Sequence, residues 1–275
     1  MTLRRALGLV LAVALAIGIA RSASGEHYAQ ICLRAAAYGC GPRIEFDMGA
    51  SISPRKLPRH ETAPVALRFN GSIGLNEGSQ LPALREMVLD VDRDLAFNPT
   101  GVPTCRGSLL RTRNVKAARA VCHNAIVGEG RAHVTIVSAS EPITASLALF
   151  NGGISGRERV IYVHSFMEFP TPASLVGVVR IHRKDKGLRS IVTIPPIAGG
   201  NGSLLDFHFT IHRPLVSDGE KAGYLEAKCP DSSFKVAASE ILLKNEAGVP
   251  GLSATTFLKG TFTVPCTPST ASRYR

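Results

Sequence analysis

The residues of this chain that are best suited to chemistry fall in one short segment, residues 204–213, where polar and apolar side chains alternate. Strand geometry would place two sets on opposite faces: Asp206, His208, Thr210 and His212 against Phe207, Phe209 and Ile211. Imidazole and carboxylate groups are typical zinc ligands. However, Cα atoms four positions apart on a strand are ~13 Å apart, so His208 and His212 cannot both bind one ion directly. A half-buried strand with its polar side chains towards solvent is the simpler interpretation.

Two further histidines also lie in segments that read as strands. If those strands neighbour residues 204–213, two histidines and a carboxylate could converge on a metal ion. The residues concerned would be His164, His182, His208 and Asp206. This arrangement is the alternative hypothesis: a secreted hydrolase or metal-dependent enzyme whose site is assembled from distant strands.

No familiar catalytic motif accompanies these residues. The chain has no G-x-S-x-G nucleophile elbow, no H-E-x-x-H zinc motif, no S-x-x-K with a matching S-D-N, and no phosphate-binding P-loop. It also has no tryptophan and only five tyrosines, which leaves few of the aromatic platforms that bind sugar rings. The sequence therefore predicts no catalytic residue, no cofactor-binding residue, no metal ligand and no cofactor, and it favours a non-enzymatic protein.

An acidic stretch is the other candidate for ion binding. Its members are Glu86, Asp90, Asp92 and Asp94. Calcium prefers such oxygen ligands, but the stretch lacks the glycine and the terminal glutamate of an EF-hand loop. Because Arg85 and Arg93 compensate the charge locally, a solvated strand face is the favoured interpretation.

The N-terminal 24 residues have the layout of a signal peptide. Arg4 and Arg5 precede an apolar run over residues 6–20, and small residues follow at positions 22–24. The run has 15 residues, fewer than the ~20 that span a hydrocarbon core, so cleavage is favoured over permanent anchoring. No later segment is apolar enough to span a membrane, so the mature chain is predicted to have no membrane span. The sequence thus predicts a secreted or extracytoplasmic protein of the cell envelope.

The six cysteines also fit an oxidising compartment. An even number of cysteines in an exported chain favours disulfides over metal thiolates, and none of the spacings matches a zinc motif. Fifteen pairings are formally possible. We expect pairing in chain order, because each pair then falls within one stretch of local structure: Cys32–Cys40, Cys105–Cys122 and Cys229–Cys266. Each bridge would stabilise the fold by about 3 kcal/mol.

The chain is basic, with a net charge of +11 from 32 Lys and Arg residues against 21 Asp and Glu residues. Removal of Arg4, Arg5 and Arg21 with the signal peptide would take away three positive charges and leave the mature protein at +8. The basic residues are spread along the chain, without a run of five and with little aromatic interleaving, which argues against nucleic-acid binding. The partner stays open; an anionic envelope polymer or another surface protein would suit a basic exported domain.

Secondary-structure signals beyond the signal peptide are almost all those of strands. Alternating or apolar segments between Gly, Pro, Asn and Asp turns predict strands near residues 44–48, 64–73, 87–91, 132–137, 145–150, 160–166, 175–182, 189–194, 204–212, 224–229, 234–243 and 255–264. One helix is predicted near residues 115–122, with Asn114 as its N-cap and Gly128 and Gly130 beyond its end. Together these elements predict an all-β fold, an antiparallel β-sandwich with one short helix.

The mature chain is long enough for one large sandwich or for two packed β domains, and composition does not decide between them. The sequence divides into a signal peptide (1–24), an N-terminal segment (25–43), a β-rich first half (44–152), a β-rich second half (153–268) and a tail (269–275). Gly152, Gly153 and Gly156 would form the joint between the halves.

Several phrases of the sequence, taken in order, resemble a group of uncharacterised exported proteins of high-GC actinobacteria. They are SPRKLP (53–58), APV (63–65), GVPTC (101–105), VCxxAIVGxG (121–130), FNG (150–152) and YLxAxC (224–229). The resemblance implies an exported β-rich domain, and it assigns no role to any residue. We therefore expect an exported, disulfide-stabilised, non-enzymatic protein that has a binding or structural role in the envelope or its surroundings.

Overall fold

The structure is a computed structural model that describes residues 27–32, 43–75, 80–168, 172–217, 220–246, 248 and 252–269. The predicted signal peptide lies outside these ranges, as do most of the predicted N-terminal segment and nearly all of the predicted tail.

About two thirds of the described residues lie in strands. In chain order the strands are β1 His27–Cys32, β2 Arg43–Ser53, β3 Lys56–Pro58, β4 Ala63–Pro64, β5 Ala66–Leu75, β6 Ala83–Asp92, β7 Leu95–Phe97, β8 Ile126–Ile136, β9 Ile143–Ser155, β10 Glu158–Met167, β11 Ala173–Lys184, β12 Gly187–Thr193, β13 Gly202–Ile211, β14 Pro214–Ser217, β15 Glu220–Gly223, β16 Leu225–Ala227, β17 Ser233–Lys244, β18 Thr255–Pro265 and β19 Thr267–Ser269. The helical elements are α1 Val115–Val121 and three 3₁₀ turns, Gly107–Leu109, His123–Ala125 and Ala198–Gly200. The predicted all-β class with one short helix is confirmed.

Twelve strands form one antiparallel sheet, in the order β1-β2-β5-β13-β8-β9-β10-β11-β12-β6-β17-β18. The last strand, β18, lies against β1 and β2, so the sheet curls until its margins meet and is nearly closed into a barrel. Strongly twisted sheets of this many strands tend to curl rather than stay open. The face-to-face packing expected of a sandwich is thus made by a single sheet folded round upon itself.

Alternation along each strand decides which side chains point into the curled sheet. In β13, Phe207, Phe209 and Ile211 face the interior. The intervening His208 is exposed and Asp206 is half-exposed on the outside. The half-buried strand that the sequence predicted over residues 204–212 is therefore present, with its aromatic face inward.

Strands β8 and β13 approach each other closely, and two glycines make the approach possible. A Cβ atom on Gly128 would overlap the carbonyl oxygen of Thr210, and one on Gly130 would overlap that of His208. The sequence predicts that both glycines lie beyond the end of the helix. The helix does end before them, at Val121, but their role is to bring two strands of the sheet together.

Strands from the two predicted halves are interleaved in the sheet. Strand β13 lies between β5 and β8, and β6 lies between β12 and β17. The predicted joint falls within β9 and its turn into β10, where Gly153 and Gly156 have φ angles of 80° and 63°. One continuous apolar core contains residues from both halves.

A small three-stranded sheet, β4-β16-β7, lies across one end of the curled sheet, which we call the covered end. Strand β7 follows β6 directly, and β4 directly precedes β5. Backbone hydrogen bonds from Val65 to Leu225 (3.0 Å) and from Asn98 to Tyr224 (2.8 Å) tie these connections together. Leu95 and Phe97 of β7 point into the interior, so the small sheet closes this end with apolar side chains.

Helix α1 covers part of the outer face of β9 and β10. The Asn114 side chain accepts a hydrogen bond from the backbone N–H of Ala117 at 2.8 Å, which is the predicted N-cap. Buried residues beneath the helix form a separate apolar group, which we call the outer cluster: Cys105, Leu110, Ala118, Cys122, Ala125, Ala148 and Phe150.

Two disulfides are present among the described residues, Cys105–Cys122 and Cys229–Cys266. They are two of the three pairs that chain order predicts. The third, Cys32–Cys40, lies outside the described residues, because Cys40 is not among them. Disulfides form and persist in oxidising compartments, so these bridges indicate an extracytoplasmic environment.

Candidate binding cavity

The interior of the curled sheet contains a cavity with a volume of about 210 Å³. Its walls are the inward side chains of β2, β5, β6, β8–β13, β17 and β18, together with β7 at the covered end. Protein interiors rarely contain voids much larger than a water molecule, which needs ≳10–15 Å³ of such space. The cavity is therefore far larger than an ordinary packing defect.

Strand number explains why space remains inside. A barrel of about eight strands has an interior that side chains can just fill, and the diameter grows with each further strand. Twelve strands enclose more volume than one layer of inward side chains occupies. The chain enlarges this space by placing small residues on the inner face: Ala50, Ala132, Ala145, Ser165, Gly177 and Ser190.

One wall of the cavity is aromatic. The ring centroid of Phe69 lies 5.6 Å from that of Phe207 and 5.5 Å from that of Phe209, and the latter two rings stack 6.0 Å apart. Such distances are typical of favourable aromatic pairs. A Cβ atom on Gly71 would lie 2.7 Å from the Phe207 ring, so glycine at that position makes room for the wall.

The cavity lining carries no charge among the described residues. Its only side-chain hydroxyls belong to Ser165, Ser190 and Thr193, and every other lining side chain is apolar or absent. An apolar cavity of this kind stays dry and takes up apolar molecules. The arrangement can hold a hydrophobic ligand, but it offers no nucleophile–base pair and no set of metal ligands.

The covered end is held by a buried polar network around Asn151, in the second half of β9. The Asn151 side-chain amide donates to the carbonyl oxygens of Val102 (2.9 Å) and Pro103 (3.2 Å). Its oxygen accepts from the Gly153 N–H (3.2 Å) and the Tyr224 hydroxyl (3.3 Å). Every hydrogen-bonding position of this buried amide is thus used, which fixes the covered end in place.

Burial raises the pKa of Tyr224 well above its ordinary value, although the nearby Arg159 guanidinium opposes the rise. Tyr224 is therefore a neutral hydrogen-bond donor. The Arg159 guanidinium in turn donates to the carbonyl oxygen of Phe97. The roles of Asn151, Tyr224 and Arg159 could not be predicted from the sequence, because most of their partners lie 48 to 73 residues away along the chain.

The histidines and the aspartate of the alternative metal hypothesis are held apart. Asp206 pairs with His133 at 2.7 Å on the outer surface, and His182 contacts Glu158 at 3.2 Å. Strand β10, which carries His164, is separated from β13 by β8 and β9, a distance of ~14 Å at the usual strand spacing. Within the described residues, no three His, Cys, Asp or Glu side chains converge on a point that could hold a metal ion.

His164 is the one member of that set that is fully buried, and it lies on the outer side of β10. Its Nε2–H donates to the backbone carbonyl of Arg113 at 2.9 Å, while Nδ1 is buried with no hydrogen-bond partner. Burial lowers the pKa of His164, against the opposing effect of the hydrogen bond to Arg113. The side chain is thus a neutral structural group beneath the segment that leads into α1.

Two carboxylates of the acidic stretch, those of Asp90 and Asp94, lie beside cations of the protein itself. Asp90 receives two hydrogen bonds of 2.7 Å from Arg189, which lower the pKa of the Asp90 carboxyl against the effect of burial. Asp94 is buried in the turn after β6 and lies 3.4 Å from the Lys228 ammonium. The sequence favoured a solvated strand face for this stretch. Asp90 fits that interpretation, whereas Asp94 is buried and forms an internal ion pair.

A surface groove adjoins the cavity at the end opposite to the covered one. Leu175 and Pro195 belong to the walls of both spaces. The outer part of the groove is more polar, with Arg111, Thr112 and Asn114 along it.

Sequence reasoning looked for chemistry on the polar faces of strands and missed the inner face. The signal was available in one form: small residues recur at inward positions of neighbouring strands, as at Ala132, Ala145 and Gly177. Strand order was needed to interpret that signal, since only pairing shows that these positions face a common space.

Among the described residues, no helix has the length and apolarity that crossing a membrane requires. Comparison of the chain with protein-family models, with curated proteins and with solved structures found no match.

Proposed function

We propose that the protein is an extracytoplasmic, non-enzymatic binding protein that holds an apolar ligand inside its curled sheet. The observation that carries this proposal is the uncharged cavity of about 210 Å³ within the core. Its volume exceeds that of an engineered cavity of ~150 Å³ that stays dry and binds benzene.

The energetics of an unfilled interior support the proposal. A cavity left in a protein core costs about 24 cal/mol per Å³, which amounts to about 5 kcal/mol for a space of this size. Whole domains are stable by only ~5–15 kcal/mol. A ligand that fills the space would recover much of this cost, so ligand binding and stability would be linked.

Location outside the cytoplasm is supported by two independent features. The two disulfides fit an oxidising compartment, and the N-terminal segment has the layout of a signal peptide. The basic charge of the predicted mature chain would favour association with anionic polymers of a cell envelope.

Binding is tested with N-phenyl-1-naphthylamine, a neutral dye that fluoresces when it leaves water. We expect the mature protein to bind the dye saturably and Ala145→Leu to reduce the affinity at least tenfold, because the added atoms occupy the cavity. The matched control is Ser146→Leu, which adds a similar side chain on the exposed outer side of the same strand. Absence of saturable binding, or equal loss in both variants, would contradict the proposal.

A further inference from the structure

The length of the cavity follows from how far its lining extends along a single strand. On β11, the lining residues run from Leu175 to Ile181, six positions along one strand. At the usual rise per residue this distance is ~20 Å. A space of about 210 Å³ that extends so far is long and narrow.

The hydroxyls of the lining are distributed along this length. Ser165 lies opposite Leu175 in the pairing of β10 with β11, and Ser190 lies opposite Ile181 in the pairing of β11 with β12. The two serines therefore stand near opposite ends of the space. The third lining residue with a hydroxyl, Thr193, lies opposite Val178, a position whose side chain alternation turns to the outer side, so the stretch between the serines is apolar. The lining can thus accept a hydrogen-bonding group at an end of the ligand and a hydrocarbon in the middle.

No described lining residue could neutralise a charged ligand, and Arg111 belongs to the outer part of the adjoining groove and not to the lining. Arg159 lies at the covered end, where it donates to the carbonyl oxygen of Phe97, and it is not part of the lining. Transfer of an ionised carboxylate or ammonium group into an apolar site without a partner costs far more than transfer of a hydroxyl group. An ionised ligand in the cavity would also be separated from its counter-ion, which would stay in water.

We infer that the ligand is an uncharged, unbranched long-chain molecule with a hydroxyl, ester or other neutral polar group. This inference rests on the proposed function, because it describes the occupant of the same cavity. A lining without charge disfavours an ionised fatty acid, because a carboxylate pairs most strongly with a charged hydrogen-bond donor.

The charge of the ligand is tested by displacement of N-phenyl-1-naphthylamine at pH 8, with the alcohol kept below its aqueous solubility and each ion below its micelle-forming concentration. Dodecan-1-ol, dodecanoate and dodecyltrimethylammonium share one chain length and differ in charge. We expect half-displacement by dodecan-1-ol at a concentration at least tenfold lower than for either ion. Equal or better displacement by dodecanoate or by the ammonium compound would overturn the inference.

The shape of the ligand is tested with cyclododecanol, which has the carbon number and hydroxyl of dodecan-1-ol in a compact ring. We expect it to displace the dye at least fivefold less well than the linear alcohol, and equal or better displacement would overturn the requirement for a linear chain. The dye itself keeps the two proposals distinguishable. A protein that does not bind the dye, the alcohols or the ions contradicts the proposed function, whereas dye binding with the wrong order of competitors contradicts the inference alone.

Discussion

Strand β9 borders two different environments, one on each of its faces. Its inward side chains Ala145, Leu147 and Leu149 line the cavity, whereas the outward Ala148 and Phe150 are completely covered within the outer cluster. Both faces are apolar and both exclude water, yet only one is filled. Adjacent residues of β9 are fully packed on its outer side. The space on its inner side therefore depends on which residues face inward and on how many strands enclose the interior.

The two environments are built by different means. The outer cluster recruits helix α1, a 3₁₀ turn and the Cys105–Cys122 disulfide to cover a small patch of sheet. The interior is enclosed by the sheet alone and by the small sheet at the covered end, with alanine, serine and glycine where larger side chains would fit. Tight packing on one side and unfilled space on the other are thus separated by the thickness of one sheet.

The largest expected effect of a single truncation on β9 is that of Phe150→Ala. The side chain is fully buried in the tightly packed outer cluster, so its removal loses the transfer free energy and leaves a new void. We expect the free energy of unfolding to fall by about 3–5 kcal/mol, as measured by urea denaturation followed by circular dichroism.

The matched inward change, Leu147→Ala, should cost less. It widens a space that already exists, and we expect a loss of about 2 kcal/mol, near the lower limit for such truncations. If Leu147→Ala destabilised the protein as much as Phe150→Ala, the two faces of β9 would be packed alike and the comparison would fail.

Removal of each disulfide should show whether the outer cluster and the interior contribute independently to stability and to dye binding. The Cys105–Cys122 bridge spans 17 residues and the Cys229–Cys266 bridge spans 37. Chain entropy then predicts losses of about 3 and about 4 kcal/mol when each pair is replaced by alanine. We expect the Cys105→Ala/Cys122→Ala variant, while folded, to bind N-phenyl-1-naphthylamine with unchanged affinity, because the bridge lies on the outer side of the sheet.

The dye titration and a denaturation curve on the same sample check this prediction together. A loss of dye affinity that is larger in the outer-cluster variant than in Cys229→Ala/Cys266→Ala would show that the two faces are coupled through the sheet. That outcome would contradict the separation argued above.

Larger side chains should also distinguish the two faces of β9. They should destabilise the filled outer cluster and should be tolerated beside the cavity. Ala148→Leu inserts three carbon atoms into the filled outer cluster, and we expect a loss of about 1–3 kcal/mol. Ala145→Leu inserts the same atoms next to the cavity, and we expect a change within ~1 kcal/mol or a gain in stability. Urea denaturation of both variants without ligand gives the comparison, and equal losses would indicate that the interior has no usable space.

Local patterns in the sequence predicted local structure well. Alternation placed Phe207 and Phe209 opposite His208, and Asn114 caps helix α1 as its residue type and position suggest. Two cysteine pairs follow from chain order because each closes a connection of modest length. These features depend on neighbours in the chain, which is why a single sequence contains them.

Features that depend on strand order could not be predicted in this way. Strand β13 lies between β5 and β8, and β6 lies between β12 and β17, pairings that join residues 66 to 161 positions apart. The cavity is a consequence of that order, because the inward positions of eleven strands enclose it together. His164 illustrates the same limit, since only the packing of the segment around Arg113 over β10 shows that it is buried away from the other histidines.

An effect of pH on stability should arise on the outer face only. Because burial holds the pKa of His164 below its ordinary value of 6.5, the unfolded chain binds a proton in a range of pH where the folded protein does not. The stabilising contribution of the neutral His164 is complete above pH 6.5 and is lost as pH falls from there through the pKa of the folded state. One proton corresponds to a slope of at most about 1.4 kcal/mol per pH unit.

The slope is measured as the difference in unfolding free energy between the wild-type protein and His164→Gln at several values between pH 7 and pH 5. Glutamine retains an N–H donor for the Arg113 carbonyl but does not titrate, so the wild-type protein should lose stability relative to the variant as pH falls. Identical slopes would mean that His164 is not buried as a neutral group.

The interior has no titratable side chain among its described lining residues, so the affinity for a neutral ligand should stay constant over the same range. A pH-dependent affinity in the His164→Gln variant would place a titrating group at the cavity and remove the distinction between the two faces.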